Sequence, residues 1–513
     1  MLRYATVTRL LRKPAATSMQ RAYSNGTNKE GSGADGQEDN HPIRRTLRLL
    51  GNDMRRVKEF FVPKDPLPED DNPKEALAQS KFKFKGQEGP ADEFQTHCDV
   101  LVVGGGTMGS SIAYWLKEKA RNGLNVVVVE KDDTYAKSST HVSVGALSQQ
   151  FSLPENIQMS LFGADFLRNS GEYFGEDIPM GYTPHGQLTL ANEADAAILK
   201  QSSQLQNELG ARNELLSPER LASRFPWLRT KDVALGCLSV EREGWFDSWA
   251  LLTNLRRAAS GYGAHFVHGE LKSFEFQSQA DIIVTGEGGA NAGGYESLDK
   301  AVIQLPDGTE RSLKFALCII AAGVGSSDVA RLAHIGMGRG MLQVPLPIAP
   351  RKRFLYALNT QAEEAPSLGM PMLVDTNGSF IRRDGLGGQY IYGYNAEHAE
   401  AADNELAYFE SKLRPALAER LPVFAAAEVA GSMSGLYDYN VYDENGIVGP
   451  HPYYHNLYIA SGFGGQGVQQ APAVGRAISE LIIDGQFRTL DLSRLSFDRL
   501  IVDKPMFEYN ALN

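Results

Sequence analysis

The sequence predicts an α/β fold, and two observations carry that prediction. Short β-branched runs such as 99–103 and 125–129 alternate with segments of helical spacing such as 249–260. In addition, two units in which an apolar run enters a glycine-rich turn and then a helical segment stand far apart, at 99–119 and 457–483. Such units are typical of domains in which helices are layered against a sheet.

The first of these units has the spacing of a dinucleotide-binding turn. The apolar run 99–103 is a predicted buried strand that leads directly into GGGTMG, a G-x-G-x-x-G pattern. Gly104 permits the tight turn, Gly106 lets the backbone approach a pyrophosphate, and Gly109 lets the following helix pack closely on the strand. The phosphates would lie on the N-terminal amides of that helix, where its dipole favours negative charge.

A second predicted strand, 125–129, ends at Glu130. A carboxylate at this position hydrogen-bonds ribose hydroxyls and repels a 2′-phosphate, which argues against NADP. Strand, turn, helix, strand and acid in this order predict a Rossmann-like dinucleotide site. At this stage both NAD and FAD remain open.

Two further segments favour FAD. Ser139 and Thr140 follow Glu130 in a loop, where hydroxyls and amides can reach pyrophosphate or ribityl oxygens. Near the C-terminus a predicted strand enters GFGGQG, and 472–483 is a predicted helix whose amide-lined start can stabilise the negative charge of a reduced isoalloxazine. The glycines of this turn that we assign to the cofactor are Gly462, Gly464 and Gly467.

These motifs resemble those of the D-amino-acid-oxidase-like flavoproteins, in the branch of sarcosine and dimethylglycine dehydrogenases and monomeric sarcosine oxidase. The resemblance spans roughly 97–490 and includes 319–323, in which Gly323 is assigned to the cofactor. Three sequence segments, 148–158, 225–227 and 243–247, resemble those of a mitochondrial family of FAD-dependent oxidoreductase domain-containing proteins. Members of this family are required for assembly of respiratory complex I. This resemblance implies complex I subunits or assembly intermediates as partners.

The resemblance also implies a Rossmann-like FAD-binding domain interleaved with an α+β substrate-type domain built on a mainly antiparallel sheet. The FAD-binding domain is expected to be discontinuous, with pieces at 97–180, 245–335 and 430–490. The substrate-type domain is expected at 181–244 and 336–429, followed by a C-terminal tail at 491–513.

Several positions depart from the pattern of the amine-oxidising members. Ile391 stands where sarcosine oxidases have a lysine that helps to activate oxygen, so a dehydrogenase is expected rather than an oxidase. Asn395 replaces a substrate-facing histidine, and Gln469 stands at the position of a lysine that binds the substrate carboxylate. The arginine that also binds this carboxylate falls near Phe151, so both cations are lost. No catalytic residue is assigned. The candidates for lining the pocket are Tyr394, Asn395, Tyr437 and Gln469.

Two functions therefore remain open from the sequence. The first is an active dehydrogenase that oxidises a small amine, such as an N-methyl amino acid, and passes electrons to a protein carrier. The second is an assembly factor that keeps FAD for structure or redox sensing. The retained cofactor motifs allow both functions, and the loss of carboxylate-binding cations favours the second.

Covalent attachment of FAD is not expected. Gly435 occupies the position of the cysteine to which sarcosine oxidase attaches its flavin, and Val142 occupies that of the histidine used by dimethylglycine dehydrogenase. His141 lies one residue away, so attachment through its ring stays open. The alternative is a histidine that is hydrogen-bonded near the pyrophosphate.

Composition limits the other partners. The formal net charge is −11, so no general basic field is available to attract nucleic acid. The three cysteines, Cys98, Cys237 and Cys318, form no C-x-x-C pair, so neither a disulfide framework nor a metal site is expected.

The N-terminal residues differ from the rest. Residues 1–23 carry five Lys or Arg and no acidic residue, a composition typical of a mitochondrial transit peptide. The following stretch, 24–95, is an expected linker, in which the basic, weakly amphipathic segment 41–62 could lie on a membrane surface or pack on the protein's own body. No run of ~20 apolar residues is present. We expect a protein of the mitochondrial matrix, peripheral to the inner membrane.

Overall fold

The computed structural model describes residues 94–175, 178–239, 241–283, 294–396 and 404–509. The predicted leader at 1–23 and the basic segment at 41–62 lie outside these residues. The strands are β1 (His97–Val103), β2 (Val126–Glu130), β3 (Ala146–Leu147), β4 (Gln187–Ala191), β5 (Asn213–Leu216), β6 (Leu235–Ser239), β7 (Gly244–Trp245), β8 (His265–His268), β9 (Glu270–Ile283), β10 (Gly294–Gln304), β11 (Glu310–Ile320), β12 (Ile348–Asn359), β13 (Met372–Val374), β14 (Phe380–Asp384), β15 (Gln389–Asn395), β16 (Glu428–Asn440), β17 (Ile447–Pro450) and β18 (Leu457–Ser461). The α-helices are α1 (Thr107–Ala120), α2 (Pro154–Arg168), α3 (Ser170–Phe174), α4 (Ala196–Glu208), α5 (Pro218–Arg224), α6 (Ser248–Gly261), α7 (Ser326–Leu332), α8 (Glu405–Tyr408), α9 (Arg414–Arg420), α10 (Gly467–Asp484) and α11 (Asp498–Ile501).

The first sheet has a parallel centre. Its strands lie in the order β18-β11-β1-β2-β8, all parallel, with β17 antiparallel at one edge and β9 and β10 continuing from β11 as an antiparallel ribbon. The centre is covered on both faces, because Val100 and Val102 of β1 enter one apolar core and Leu101 and Val103 enter the other. A strand that is buried on both faces requires a continuous run of apolar residues.

The second sheet is mainly antiparallel. Its strands lie in the order β16-β12-β15-β14-β13-β4-β6-β5, and the β13–β4 pair is parallel. The strand β16 continues in this sheet to Asn440, beyond the boundary that the sequence placed at 430. Together the two sheets confirm the predicted fold class, a Rossmann-like domain with a second domain on a mainly antiparallel sheet.

The helices that follow the two glycine-rich turns pack on each other. The Ser111 hydroxyl of α1 donates a hydrogen bond to the Ala471 carbonyl of α10 at 2.7 Å, and a Cβ atom at Gly475 would lie 2.3 Å from Ser111 Oγ. The prediction that the second helix starts at Pro472 was wrong, since α10 begins at Gly467 and contains Pro472. Segments about 360 residues apart in sequence thus form one helical layer.

The three cysteines are buried and unpaired. Burial raises the pKa of the Cys98 thiol to about 12, so it is a packing residue at neutral pH. Within the described ranges, no group of three or more His, Cys, Asp or Glu side chains is placed to hold a metal ion. In the same ranges, no helix is both long enough and apolar enough to span a membrane.

Candidate functional site

A cavity of about 290 Å³ is lined by residues of both glycine-rich turns. Its walls also include the carboxyl end of β2, the loop that follows β2, and the start of α7. The predicted site residues that line this cavity, referred to below as the cofactor cavity, are Gly104, Gly106, Glu130, Ser139, Thr140, Gly323, Tyr437 and Gly467.

The three glycines of the first turn have three different surroundings. Gly104 has φ +103°, and a Cβ there would lie 2.3 Å from the Ala321 carbonyl oxygen. A Cβ at Gly109 would lie 1.8 Å from the Gly104 carbonyl oxygen, so this glycine holds α1 against β1 and does not line the cavity. A Cβ at Gly106 would meet no atom within 4 Å, so the space beside it is free for a ligand.

Glu130 is fixed by the turn that it faces. Its Oε2 accepts a hydrogen bond from the Gly105 amide at 2.7 Å, and its Oε1 accepts one from the Asp132 amide at 2.9 Å. A carboxylate has about four acceptor positions, so both oxygens can still accept from ribose hydroxyls. The orientation of this acid is therefore set before any ligand binds.

The loop after β2 is tied to the start of α1. The hydroxyls of Thr107 and Thr140 share a hydrogen bond of 2.7 Å, and the Ser139 hydroxyl donates to the Leu436 carbonyl at 3.3 Å. Gly323, with φ +53°, faces the same space. The hydrogen bonds of this loop place hydroxyl groups opposite the amide-lined N-terminus of α1, a kind of site that favours a pyrophosphate.

Asp438, which no local sequence pattern distinguishes, organises the second glycine-rich turn. Its Oδ2 accepts from the Gly462 amide at 2.6 Å and from the Phe463 amide at 3.2 Å, and its carbonyl accepts from the Gly464 amide at 3.0 Å. Gly462 and Gly464 therefore hold the turn in place and do not line the cavity, whereas Gly465 does. Burial raises the pKa of the Asp438 carboxyl, and the amide donors oppose that effect.

The four candidates for lining the pocket are dispersed. Tyr437 lines the cofactor cavity, and its buried hydroxyl has no hydrogen-bond partner among the described residues. Gln469 lines a second, adjoining cavity of about 10 Å³, large enough for roughly one water molecule. Tyr394 and Asn395 line neither cavity. The Tyr394 ring packs 6.4 Å from that of Tyr408.

Both polar atoms of the Gln469 side-chain amide are hydrogen-bonded. Its Oε1 accepts from the Ser148 amide at 2.8 Å, and its Nε2 donates to Gln466 Oε1 at 2.6 Å. By resemblance, this is the position of the lysine that binds the substrate carboxylate in the amine-oxidising flavoproteins. The glutamine instead joins the start of α10 to the segment before α2.

A cation that was not among the predicted site residues lies between the two cavities. Arg353 of β12 is buried and lines both of them. Its Nε donates to Asn395 Oδ1 at 2.7 Å, which explains why Asn395 is turned away from both cavities. The signal in the sequence was weak, because the basic stretch 351–353 precedes an apolar run and resembles an ordinary exposed strand end.

The sequence segments 148–158 and 243–247 are hydrogen-bonded to each other in the structure. The carboxylate of Glu243, which is fully buried, accepts from the Gln149 amide at 2.8 Å and from Gln150 Nε2 at 3.0 Å. Burial raises the pKa of Glu243 to about 8. The same stretch binds the C-terminal tail, since Glu508 accepts from the Ser152 amide at 2.6 Å.

The residues present fit FAD. Two turns with free helix N-termini face one cavity, a fixed acid stands at the end of β2, and the space beside Gly106 is open. His141 does not line this cavity, although Ser138, Ser139 and Thr140 do. The cavity, the two-sided parallel sheet and the second antiparallel sheet together define an FAD-dependent oxidoreductase fold.

Comparison with known proteins agrees with this class. Residues 99–481 match the family described as FAD dependent oxidoreductase (DAO), and the chain belongs to that family. It is 62% identical to FAD-dependent oxidoreductase domain-containing protein 1 homolog of Drosophila melanogaster, over 99% of both chains. It is 44% identical to FAD-dependent oxidoreductase domain-containing protein 1 of Xenopus laevis, over 81% of this chain and 85% of that one.

More distant likenesses concern the fold. Mitochondrial dimethylglycine dehydrogenase of Mus musculus is 23% identical over 78% of this chain and 44% of its own. The crystal structure of L-proline dehydrogenase from P. horikoshii superposes with a TM-score of 0.65 at 20% identity, covering 80% of this chain and 100% of that one. The structural match shows that the chain shares the fold of this protein.

When bound, FAD supplies a group that accepts two electrons with a proton. The protein's residues would bind and orient it. The α1 amides would receive the pyrophosphate and Glu130 would accept from the ribose, while Asp438 holds the second turn so that Gly465 and Gly467 line the cofactor cavity. At the junction of the two cavities, Arg353 supplies positive charge.

Proposed function

We propose that this chain is an FAD protein of the mitochondrial matrix that supports assembly of respiratory complex I and needs its flavin for that role. The observation that carries the proposal is an asymmetry. The cofactor cavity has a volume of about 290 Å³, whereas the adjoining cavity, at about 10 Å³, has room for roughly one water molecule, and its Gln469 side chain is hydrogen-bonded to neighbours. Such a site suits a flavin that is kept for structure or redox sensing.

The proposed partners are complex I subunits or assembly intermediates. Support comes from the resemblance of the segments 148–158 and 243–247 to the mitochondrial family required for complex I assembly. The acid-free residues 1–23 favour mitochondrial import, and the basic segment 41–62 favours peripheral contact with the inner membrane.

A requirement for FAD has a physical basis. The cofactor cavity is lined by segments from both ends of the described chain, from Val103 to Val468. A ligand that binds only the folded state stabilises it by mass action. Loss of FAD should therefore reduce the amount of folded protein that is available to its partners.

The test uses cells that lack the endogenous protein. Gly106→Val places a branched side chain beside the turn, where a Cβ meets no protein atom, so the fold is kept and the pyrophosphate is blocked. Gln469→Glu is the matched variant, because its Oε1 can still accept from the Ser148 amide while the adjoining cavity changes. We expect Gly106→Val to leave complex I deficient and Gln469→Glu to restore it.

Two readouts decide the result: flavin content of the purified variant and the amount of assembled complex I. Full restoration by a flavin-free but abundant Gly106→Val protein would contradict the proposal. Failure of a stable, flavin-loaded Gln469→Glu protein would favour turnover of a substrate instead.

A second candidate is an FAD-dependent dehydrogenase of small amines, such as N-methyl amino acids. The observation that favours it is Arg353, a buried cation that also lines the cofactor cavity. The distant likeness to dimethylglycine dehydrogenase points the same way. Anaerobic addition of N-methylglycine or N,N-dimethylglycine should then bleach the flavin absorption of the purified protein. Unchanged absorption with both amines would count against this candidate.

The location has its own test. Washing mitochondrial membranes with high salt or with carbonate should release the protein, because contact through a basic segment is electrostatic and shallow. Protein that stays in the membrane pellet after carbonate would contradict peripheral attachment.

A further inference from the structure

Arg353 is a buried cation with unused donors. Its side chain is 4% exposed, and its one hydrogen bond to a described residue runs from Nε to Asn395 Oδ1 at 2.7 Å. It forms no ion pair within the part of the chain that the structure describes. Burial disfavours the charged form and lowers the pKa of Arg353, yet arginine stays protonated in proteins. The two terminal nitrogens of the fork are therefore available to a ligand.

The position of the guanidinium is set by aromatic and backbone neighbours. Its Cζ lies 4.9 Å from the centre of the Tyr437 ring and 5.7 Å from that of Phe380. A Cβ at Gly465 would lie 2.3 Å from its Nη2, so the fork rests directly against the second glycine-rich turn. This contact keeps Arg353 at the boundary between the cofactor cavity and the adjoining one.

A second source of positive potential converges on the same place. The helix α10 has 18 residues and begins at Gly467 without a side-chain cap. The first amides of a helix have no partner within it, and its dipole places partial positive charge there. Gly467 and Val468 line the cofactor cavity beside Arg353. The carboxylate of Asp438 at this end is already held by the Gly462 and Phe463 amides.

We propose that Arg353 and the start of α10 form an anion-binding site at the boundary of the two cavities. A planar fork suits a planar anion with two adjacent acceptor atoms. Two sources share this chemistry: the N1–C2=O edge of reduced FAD, and the carboxylate of a small ligand that reaches Arg353 from the cofactor cavity. A buried arginine without a partner is costly, and such an anion offsets that cost. The inference requires bound FAD and is independent of the assembly role.

The experiment compares three FAD-loaded variants with the unmodified protein. Arg353→Met removes the charge and keeps an unbranched, apolar side chain of lower volume. Arg353→Lys keeps the charge and loses the fork. Asn395→Asp leaves the arginine in place but puts a carboxylate 2.7 Å from its Nε, so it neutralises the site without deleting Arg353. The third variant keeps the test open if Arg353→Met fails to load FAD.

The first measurement is the two-electron reduction potential of the bound flavin, by equilibration with a reference dye. If the anion is reduced FAD, its affinity relative to oxidised FAD should fall about tenfold in Arg353→Met and Asn395→Asp. A tenfold change corresponds to a potential lower by about 30 mV. Arg353→Lys should lie between these variants and the unmodified protein.

The second measurement is a titration of the oxidised flavin absorption with formate and with acetate, with chloride as the control anion. If the anion is a carboxylate, the unmodified protein should show a saturable change that weakens about tenfold in Arg353→Met and Asn395→Asp. The potential without added anion would then be unaltered. The inference is overturned if FAD-loaded variants match the unmodified protein in both measurements.

Discussion

Val142 fills the space beside Gly435: a Cβ atom at Gly435 would lie 2.4 Å from Val142 Cγ1. Val142 is 2% exposed and sits in the loop that closes over the start of α1. By resemblance, these two positions hold the residues to which sarcosine oxidase and dimethylglycine dehydrogenase attach their flavins. Here they pack against each other, and neither carries a nucleophile.

The first prediction is that FAD is bound without a covalent link. Acid precipitation of the purified protein should release essentially all flavin into the supernatant, because neither Val142 nor Gly435 can bond to it. The measurement is the absorption of the supernatant against that of the pellet. Flavin retained in the pellet would point to His141, and His141→Ala would then abolish the retention.

The second prediction separates two glycines of the first turn. Gly109→Ala should destabilise the fold by about 3 kcal/mol, because its Cβ would meet the Gly104 carbonyl oxygen at 1.8 Å. Gly106→Ala should leave the apoprotein as stable as before, since its Cβ meets no protein atom. It should weaken FAD binding about tenfold by crowding the pyrophosphate.

Thermal melts of the two apoproteins and FAD titrations check this pair. Equal melting temperatures for the two variants would show that the contact between α1 and β1 is more adaptable than its geometry indicates.

The third prediction concerns pH. Burial raises the pKa of Glu243 from 4.5 to about 8. Between these values the folded protein binds a proton that the unfolded chain does not, so this group's contribution to stability falls as pH rises from about 4.5 through 8. Glu243→Gln removes the titration. Relative to this variant, the unmodified protein should lose on the order of a few kcal/mol between those limits.

Urea unfolding at several pH values measures this difference. Glu219→Gln is a suitable control, because Glu219 is exposed and its hydrogen bond with Ser217 lowers its pKa, outside the window. A constant difference between Glu243→Gln and the unmodified protein across the window would mean that Glu243 is ionised throughout.

The fourth prediction assigns a role to the C-terminal tail. Glu508 is buried and accepts hydrogen bonds from the Ser152 amide at 2.6 Å, the Leu153 amide at 3.1 Å and Asn156 Nδ2 at 2.8 Å. Glu508→Ala would leave these donors unsatisfied and should destabilise the fold by about 3 kcal/mol. Tyr509→Ala should change stability by less than about 0.5 kcal/mol, because its side chain is 61% exposed.

Chemical denaturation of both variants is the measurement. A loss in Glu508→Ala no larger than that in Tyr509→Ala would mean that the tail is a passive extension.

The sequence was sufficient for the first turn because that chemistry is local. A strand, a glycine turn and a helix follow each other within 99–119, and the acid follows at Glu130, so spacing alone predicts their geometry. Gly104, Gly106 and Glu130 accordingly line the cofactor cavity. The α/β class follows from the same alternation of short-range patterns.

The second turn was predicted less well, because its geometry depends on another strand. Gly462 and Gly464 do not line the cavity, because their amides donate hydrogen bonds to Asp438 of β16. No distinctive local sequence pattern marks Asp438. Similarly, the start of α10 at Gly467 depends on packing against α1, which lies at the other end of the chain.

What the sequence by itself determined is the fold class and the cofactor, because both are encoded in short, periodic segments whose meaning does not depend on distant partners. What only the tertiary structure decided is which polar groups share a site. Arg353 reaches the boundary of the two cavities because β12 lies between β15 and β16, and Asn395 turns to it from the neighbouring strand. Strand pairing across the sheet sets these contacts, and the spacing of residues along the chain does not predict that pairing.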